Sequence, residues 1–419
     1  MTELPDGWQT KKVGELADTQ LGKMLNKGKQ SGKFAKPYLR TDNVHWGSFD
    51  LSEIKEMDIF PEEEDKYLAR KGDLLMCEGG ASGRTAIWTQ DYNISFQNHV
   101  HRIRPKDDEE ITPKYLLYYF EWFIKNGFAS DLIKGVTISS LSQSGLRSID
   151  VVYPPLPEQH KIVEILEDHL SRLDAALADV KQAKVKAAQF RRSLLQAAFT
   201  GDLGSHETDL MTELPTVWQR SKIGNHCLSV EKVDPVQLGR NTFKYIDIGS
   251  LEPNSSSLEK VSEIPTEGAP GRARQLVRTG DSLFATVRPY MKKVALITDS
   301  YSEEIASTGF CVLRPNNETL HSKFLFYFLQ SDELLDQVLP LQRGVSYPAI
   351  RDNDLRNAMV PLPPLSEQQK IVEILEDHLS RLDASVALAD AMENQSSGLR
   401  RSLLQAAFTG QLTKEVASV

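Results

Sequence analysis

From Glu158 to Phe199 the chain runs without glycine or proline, and apolar positions step by three and four at Val163, Leu166, Leu170, Leu173, Leu177 and Val180. That spacing is one face of a helix and the seam of a coiled coil. The frame then slips and resumes at Ala183, Ala187, Phe190, Leu194 and Ala197, with Thr200-Gly201 as a stop. The same steps return at Val372, Leu375, Leu379, Leu382, Val386 and Ala389, then at Met392, Ser396, Leu399, Leu403 and Ala406. A helix of about 40 residues extends roughly 60 Å. Its apolar stripe needs a cover. The simplest cover is the other helix; the alternative is that each stripe packs on its own globular domain. An antiparallel pair lets the chain return, and Leu166, Leu170, Leu173 and Leu177 are then expected to face Leu375, Leu379, Leu382 and Val386.

The second helix repeats the first because the chain is a tandem duplication. KIVEILEDHLSRLDA at 161–175 recurs unchanged at 370–384, and RRSLLQAAFTG at 191–201 recurs unchanged at 400–410. The openings match as well, MTELPDGWQ at 1–9 and MTELPTVWQ at 211–219. Between the identical stretches the halves diverge but keep one skeleton. GDLLMCEGG at 72–80 parallels GDSLFATVR at 280–288, HRIRP at 101–105 parallels CVLRP at 311–315, and KYLLYYF at 114–120 parallels KFLFYFL at 323–329. GVTISSLSQSGLRSIDVVYPPLPEQ at 135–159 parallels GVSYPAIRDNDLRNAMVPLPPLSEQ at 344–368. One scaffold carried twice with different loop residues suits a protein that reads two different targets.

The divergent stretches read as mixed and strand-rich. KPYLRTDNV, KGDLLMC and VHRIRP look like short strands between Gly, Asn and Asp turns, and TPKYLLYYFEWFIKNG like an amphipathic helix ended by Gly127. The aromatic clusters are read as core. The fold expected is α+β: two similar mixed α/β domains separated by two long antiparallel helices forming a coiled coil, with internal pseudo-twofold symmetry. The boundaries expected are a first domain at 1–155, a helix at 156–201, a linker at 202–210, a second domain at 211–364, a helix at 365–410 and a tail at 411–419.

Composition adds mainly exclusions. No apolar run reaches the ~18 residues that would span a bilayer, and the start MTELPDGWQT lacks the pattern of a signal peptide. Cys77, Cys227 and Cys311 are widely spaced with no CxxC pair, which fits a reducing compartment and a cytoplasmic protein. GKQSGKF at 28–34 is one residue short of a P-loop and lacks the Ser or Thr after Lys33. Gly79, Gly80 and Gly83 do not make a dinucleotide-binding turn, and no Asn-Pro-Pro-aromatic motif occurs. Glu64-Asp65-Lys66 sits in an acidic run, and His99 and His101 lack further ligands nearby. The expectation is a chain without catalytic residues, cofactor or metal.

Two variable segments, each followed by a long repeated helix, resemble the specificity subunits of type I restriction-modification systems. The motif string is similar too: Tyr38 to Asn43, Gly72 to Leu75, Arg104-Pro105, Gly135 to Thr137 and Pro154 to Gln159. The second half has Tyr245 to Gly249, Gly280 to Leu283, Arg314-Pro315, Gly344 to Ser346 and Pro361 to Gln368. In the first half Tyr153 and Pro157 alter the last motif slightly. The resemblance covers nearly the whole chain. It implies a non-catalytic subunit that reads a two-part asymmetric site in double-stranded DNA, one half per target-recognition domain, with an unread spacer. Its implied partners are two methyltransferase subunits that methylate adenine with S-adenosylmethionine, and a restriction subunit that translocates and cuts. No membrane role is implied. The alternative is a coiled-coil scaffold that binds no DNA.

The net charge of −9 sits awkwardly with phosphate neutralisation. Residues 1–155 carry 20 Lys+Arg against 23 Asp+Glu, and residues 211–364 carry 17 against 18, so DNA contact needs local basic patches or a partner. The clearest patch is Lys23, Lys27, Lys29, Lys33, Lys36 and Arg40, free of acidic residues from Asp18 to Asp42, with Arg84 further on. Its counterpart is Arg272, Arg274, Arg278, Arg288, Lys292 and Lys293. Such residues position a duplex through phosphates, and Arg can also fork onto guanine. The loops at Gly135 and Gly344 offer Thr137, Ser139, Ser140 and Gln143 against Ser346, Tyr347, Arg351 and Asn353, with Arg343 just before the second glycine. The bland readings are a solvated loop for the first patch and helix caps for the Ser and Thr.

Overall fold

The structure is a computed structural model, and it describes residues 5–26, 28, 31–79, 82–134, 140–201, 203, 218–253 and 256–416. Four helices organise it: α1 (Pro113–Lys125), α2 (Leu156–Thr200), α3 (Ser322–Phe328) and α4 (Leu365–Phe408). The chain divides into two compact units, Met1–Val180 with Asp390–Val419, and Lys181–Ala389. Each long helix therefore contributes one stretch to each unit. Among the described residues no helix is long and apolar enough to cross a membrane.

The first unit holds two four-stranded sheets. One orders Ala17–Leu21, Val100–Pro105, Leu74–Cys77 and Thr85–Ile87, all antiparallel. The other orders Lys55–Asp58, Ala35–Leu39, Ile94–Phe96 and Leu68–Ala69, with one parallel pairing between Ala35–Leu39 and Ile94–Phe96. A short ribbon joins Gln9–Lys12 to Asp150–Tyr153, just before α2. The second unit repeats this order. Cys227–Leu228, Phe310–Pro315, Ser282–Ala285 and Val294–Leu296 form one sheet; Ser262–Pro265, Thr242–Ile246, Ile305–Ser307 and Ala273–Leu276 form the other. Its single parallel pairing joins the equivalent strands.

The motifs that recur along the chain are the fastenings of this scaffold. Asp73 accepts two bonds from Arg104, at 2.6 and 2.7 Å, and Asp281 accepts two from Arg314, at 2.9 and 2.8 Å. A forked Arg–carboxylate pair of this kind fixes both distance and angle between strands. Gly72 and Gly280 precede these aspartates with φ of +94° and +89°, which a side chain would strain. Gln159 is fully buried at the start of α2. Its amide donates to Glu110 O and Pro154 O and accepts from Thr112 N–H, while Gln368 repeats the set with Thr319 O, Pro363 O and His321 N–H. These bonds lash each long helix to the loop before the domain's own helix, α1 or α3.

α1 is capped by Thr112, whose hydroxyl accepts from Tyr115 N–H, and is followed by Gly127 at φ +79°. α2 stops at Thr200, where Gly201 takes φ +89°. Within the first unit, Ile162, Val163, Leu166 and Leu170 share a core with Leu404, Ala407 and Phe408 of α4 and with Tyr115 and Tyr119 of α1. Further along, Leu173, Leu177 and Val180 line a groove with Met392, Ser396 and Leu399. The α2 and α4 stretches are thus antiparallel here. In the second unit Ile371, Val372, Leu375 and Leu379 pack with Leu194, Leu195, Ala198 and Phe199 and with Phe324 and Phe328 of α3.

These contacts correct one expectation. The expected facing of Leu166, Leu170, Leu173 and Leu177 with Leu375, Leu379, Leu382 and Val386 does not hold: Leu166 and Leu170 are buried with Leu404, Ala407 and Phe408, and Leu173 and Leu177 line a groove with Met392, Ser396 and Leu399, all in their own unit. When two helices with repeated ends run antiparallel, the start of one meets the end of the other. Equivalent residues can meet only at a midpoint. The two proposed covers for the apolar stripes also prove compatible, since each helix start is buried by the opposing helix and by its own domain's helix together.

Candidate nucleic-acid interface

In the second unit, the strand Ser282–Ala285 leads into a short segment that pairs with the loop before α4. Ile350 N–H donates to Thr286 O at 3.0 Å, Val287 bridges to Ala349, and Arg288 N–H donates to Pro348 O at 2.7 Å. The facing loop is itself closed by two bonds between Arg343 and Ala349, both 2.9 Å. At its tip Val345, Ser346 and Tyr347 are exposed, and Tyr347 lies under the Arg288 guanidinium, 5.2 Å from Cζ to ring centroid. Arg288, Arg343, Ser346, Tyr347 and Ala349 are thereby gathered into one surface feature. Arg351 stands exposed just beyond, at the N-cap of the short helix Asp352–Arg356.

The remaining basic residues of this unit are mostly occupied. Arg278 meets Glu231 and Glu303 at 3.0 and 3.2 Å, Lys292 meets Asp332 at 2.6 Å, and Arg343 meets Asp354 at 2.8 Å. The Arg343 guanidinium and the backbone N–H of Arg351 hold Asp354 below the ordinary carboxylate range, the backbone bond being the larger cause. Lys293 donates to Ile248 O and Arg274 to Ala273 O. Arg272 is exposed with no side-chain bond among the described residues.

The first unit treats its basic stretch in the same way. Lys23 donates to Asp58 O at 2.8 Å, pairs with Glu63 and sits over the Phe60 ring, so it is a fastening of the sheet rather than a free cation. Lys36 pairs with Glu64, Arg40 with Asp42 at 3.5 Å, and Arg84 donates to Thr41 O at 2.9 Å. Gln143 spends its amide on Thr19 O at 2.7 Å, and Ser140 is half-buried and bridged to Gly79. Lys33 is the exception, exposed and with no side-chain partner among the described residues. It stands in a turn anchored by Asp58, which accepts from the Ser31 hydroxyl and from the N–H of Gly32 and Phe34. The Ser31 hydroxyl is the main cause that holds the Asp58 carboxyl below its usual range. Lys27, Lys29, Thr137 and Ser139 lie outside the described residues, as does Gly135.

Residue spacing alone did not single out two features. The Arg288–Tyr347 contact joins positions far apart in the chain, and only the two glycine-led loops hinted at it. Spacing puts Phe190, Met392 and Leu399 on the seams but does not show that they stay exposed, Met392 and Leu399 in the first unit and Phe190 in the second, together with Val185 and Leu388. Among the described residues no group of His, Cys, Asp and Glu could hold a metal ion.

Three comparisons bear on this geometry. The profile of the family described as the type I restriction modification DNA specificity domain matches residues 5–185 and 239–388. The chain is 22% identical to a putative type I restriction enzyme MjaX specificity subunit of Methanocaldococcus jannaschii, over 98% of this chain and 95% of that protein. It is 27% identical to the EcoBI specificity subunit of Escherichia coli, over 67% of this chain and 62% of that one. Among solved structures, a chain from work on the assembly and conformational transition of a type I R-M system superposes with a TM-score of 0.74 at 20% identity, covering 98% of this chain and 100% of that one. The HsdS subunit from Thermoanaerobacter tengcongensis superposes with 0.56 at 19% identity, covering 98% of each.

Proposed function

Because the chain belongs to the type I restriction-modification DNA specificity family, and is a DNA sequence-recognition subunit, we propose that each of its two units reads one half of a two-part, asymmetric target in double-stranded DNA. The recognition segments are residues 1–155 and 211–364. The observation that carries this reading is the doubled scaffold: two units with the same strand order and the same Asp–Arg and Gln fastenings, but different residues at the loop tips. A protein reading a symmetric site would have no use for that divergence.

The chain itself transfers no methyl group and cuts no strand. Two methyltransferase subunits, which use S-adenosylmethionine on adenine, dock on the long helices, where exposed Met392 and Leu399 in one unit and Val185, Phe190 and Leu388 in the other offer apolar anchors. A restriction subunit that translocates and cuts DNA joins the same assembly, in the cytoplasm. The net charge of −9 and the many neutralised cations fit a reader that gains much of its DNA affinity from such partners.

The test is co-expression with a methyltransferase partner, followed by methylation-aware sequencing of the host genome. The expected result is one bipartite adenine-methylated motif with two unlike half-sites. A symmetric motif, or methylation without this chain, would overturn the reading.

A further inference from the structure

Arg288 is held in a conformation that its side chain makes expensive. Its φ is +52°, in the left-handed region where glycine is at ease and a branched or long side chain is strained. The backbone there is fixed from both sides, by Arg288 N–H on Pro348 O at 2.7 Å and by the Val287–Ala349 bridge. The opposing turn is equally constrained. Gly344 has φ +93°, and a Cβ there would stand 3.0 Å from Tyr347 O, so a side chain at this turn would be both strained and crowded. A glycine at 288 would serve this backbone better, so what the position gains is the arginine side chain.

That side chain is presented, not bonded. Among the described residues Arg288 has no ion pair and no side-chain hydrogen bond, whereas Arg278, Lys292 and Arg343 all meet carboxylates. Its contact is the Tyr347 ring at 5.2 Å, which attracts the cation and restricts it while leaving its N–H donors available. A phosphate contact asks only for positive charge within reach, and a flexible lysine meets it. A planar fork pre-set on a fixed turn suits a planar acceptor pair. Guanine offers that pair, O6 and N7, on its major-groove edge.

We propose that Arg288, held by Tyr347, reads one guanine in the major groove of the half-site bound by the second unit. The proposal rests on the DNA-reading function above and adds the base class and the residue. In the aligned stretch of the first half, Gly79-Gly80 stands where Val287-Arg288 stands in the second. At this position the first half carries no arginine, and its half-site is read by other groups.

The experiment uses the whole complex with its methyltransferase partner. Arg288→Gly removes the fork and relieves the backbone, so the variant is expected to fold. Its methylated motif should become degenerate at one former guanine of one half-site, with the other half-site and the spacer unchanged. Methylation of the intact site should fall roughly 10- to 100-fold. Arg288→Lys keeps the charge and should lose the same discrimination, while Tyr347→Ala should lose part of it and Tyr347→Phe little. An unchanged motif in Arg288→Gly overturns the proposal. So does a uniform loss that keeps every base preference, full guanine preference in Arg288→Lys, or a wild-type half-site without guanine. A wild-type complex that yields no bipartite motif would instead overturn the DNA-reading function itself.

Discussion

Arg191 and Arg400 are the same residue of a duplicated helix, yet the two units use them differently. Arg400 donates to the buried carboxylate of Glu121 at 2.8 Å and to Asp174 at 3.2 Å, and Glu121 also accepts from Lys125. Arg191 meets Asp383 at 2.8 Å, the counterpart of Asp174, but where Glu121 would stand the second half has Gln330. The repeated helix ends bring the same cation to each domain, and the domain decides whether it becomes a buried ion pair or a surface one. Repetition therefore fixes the frame, while each domain adjusts the electrostatics beneath it.

Phe408 and Phe199, also equivalent, mark where the units should behave alike. Phe408 sits edge-on to Tyr115 and Tyr119, and Phe199 edge-on to Phe324 and Phe328, all at 5.2 or 5.3 Å between centroids. Truncating either to alanine should cost about 3–5 kcal/mol in its own unit. Hydrogen-exchange protection, read separately over the two units, checks this. Unequal losses would mean that the frame is not equivalent after all.

The arginines should then diverge. Arg400→Ala leaves the buried Glu121 carboxylate with Lys125 alone and should cost about 2 kcal/mol in the first unit. Arg191→Ala removes a largely exposed pair and should cost under ~1 kcal/mol in the second. Acid sharpens the contrast. Burial pushes the Glu121 carboxyl up, but the Arg400 and Lys125 bonds outweigh it and hold the group below its ordinary 4.5. A carboxyl depressed on folding stabilises above its unfolded pKa, and that stabilisation is lost as pH falls through the folded value. The stability gap between wild type and Glu121→Gln should be widest above pH ~4.5 and close below it. Denaturant titrations across pH read it, and a gap independent of pH would remove the ion pair from the account.

The architecture was legible because it is periodic or repeated. The seam around Leu166 and Leu170, the helix from Thr112 to Gly127 and the paired GD and RP motifs are local patterns, and the structure finds them as helices, strands and the Asp73–Arg104 fork. Helix register was not legible. The repeated strings carry no mark of register, and the offset of 209 residues invites like to be matched with like, whereas antiparallel packing sets Leu166 against the far end of the other helix. The site was hardest to read. A run of lysines looks free in sequence, and the carboxylates that occupy it, Glu63 for Lys23 and Glu64 for Lys36, lie tens of residues away. Tyr347 under Arg288 is likewise a long-range contact that no spacing rule encodes.

The smallest effect concerns the first unit's own contribution to DNA, and it tests whether exposure or mere charge selects the contact. Lys33 is exposed and carries its charge unpaired among the described residues, while Lys36, three residues on, is half-buried against Glu64. To reach a phosphate, Lys36 must give up a partner and Lys33 need not. If Lys33 neutralises one phosphate, Lys33→Ala should lower the slope of log affinity against log salt by about 0.9, the release of one counterion, and leave the methylated motif unchanged. Lys36→Ala should leave the slope nearly intact, because its charge is already compensated. Fluorescence anisotropy of the assembled complex on a duplex carrying its motif, from low to moderate salt, separates the two. Equal slope changes for both variants would show that the ion pair with Glu64 opens on DNA. In that event the basic stretch acts as one patch, and the two units differ less in how they hold the duplex than their side chains suggest.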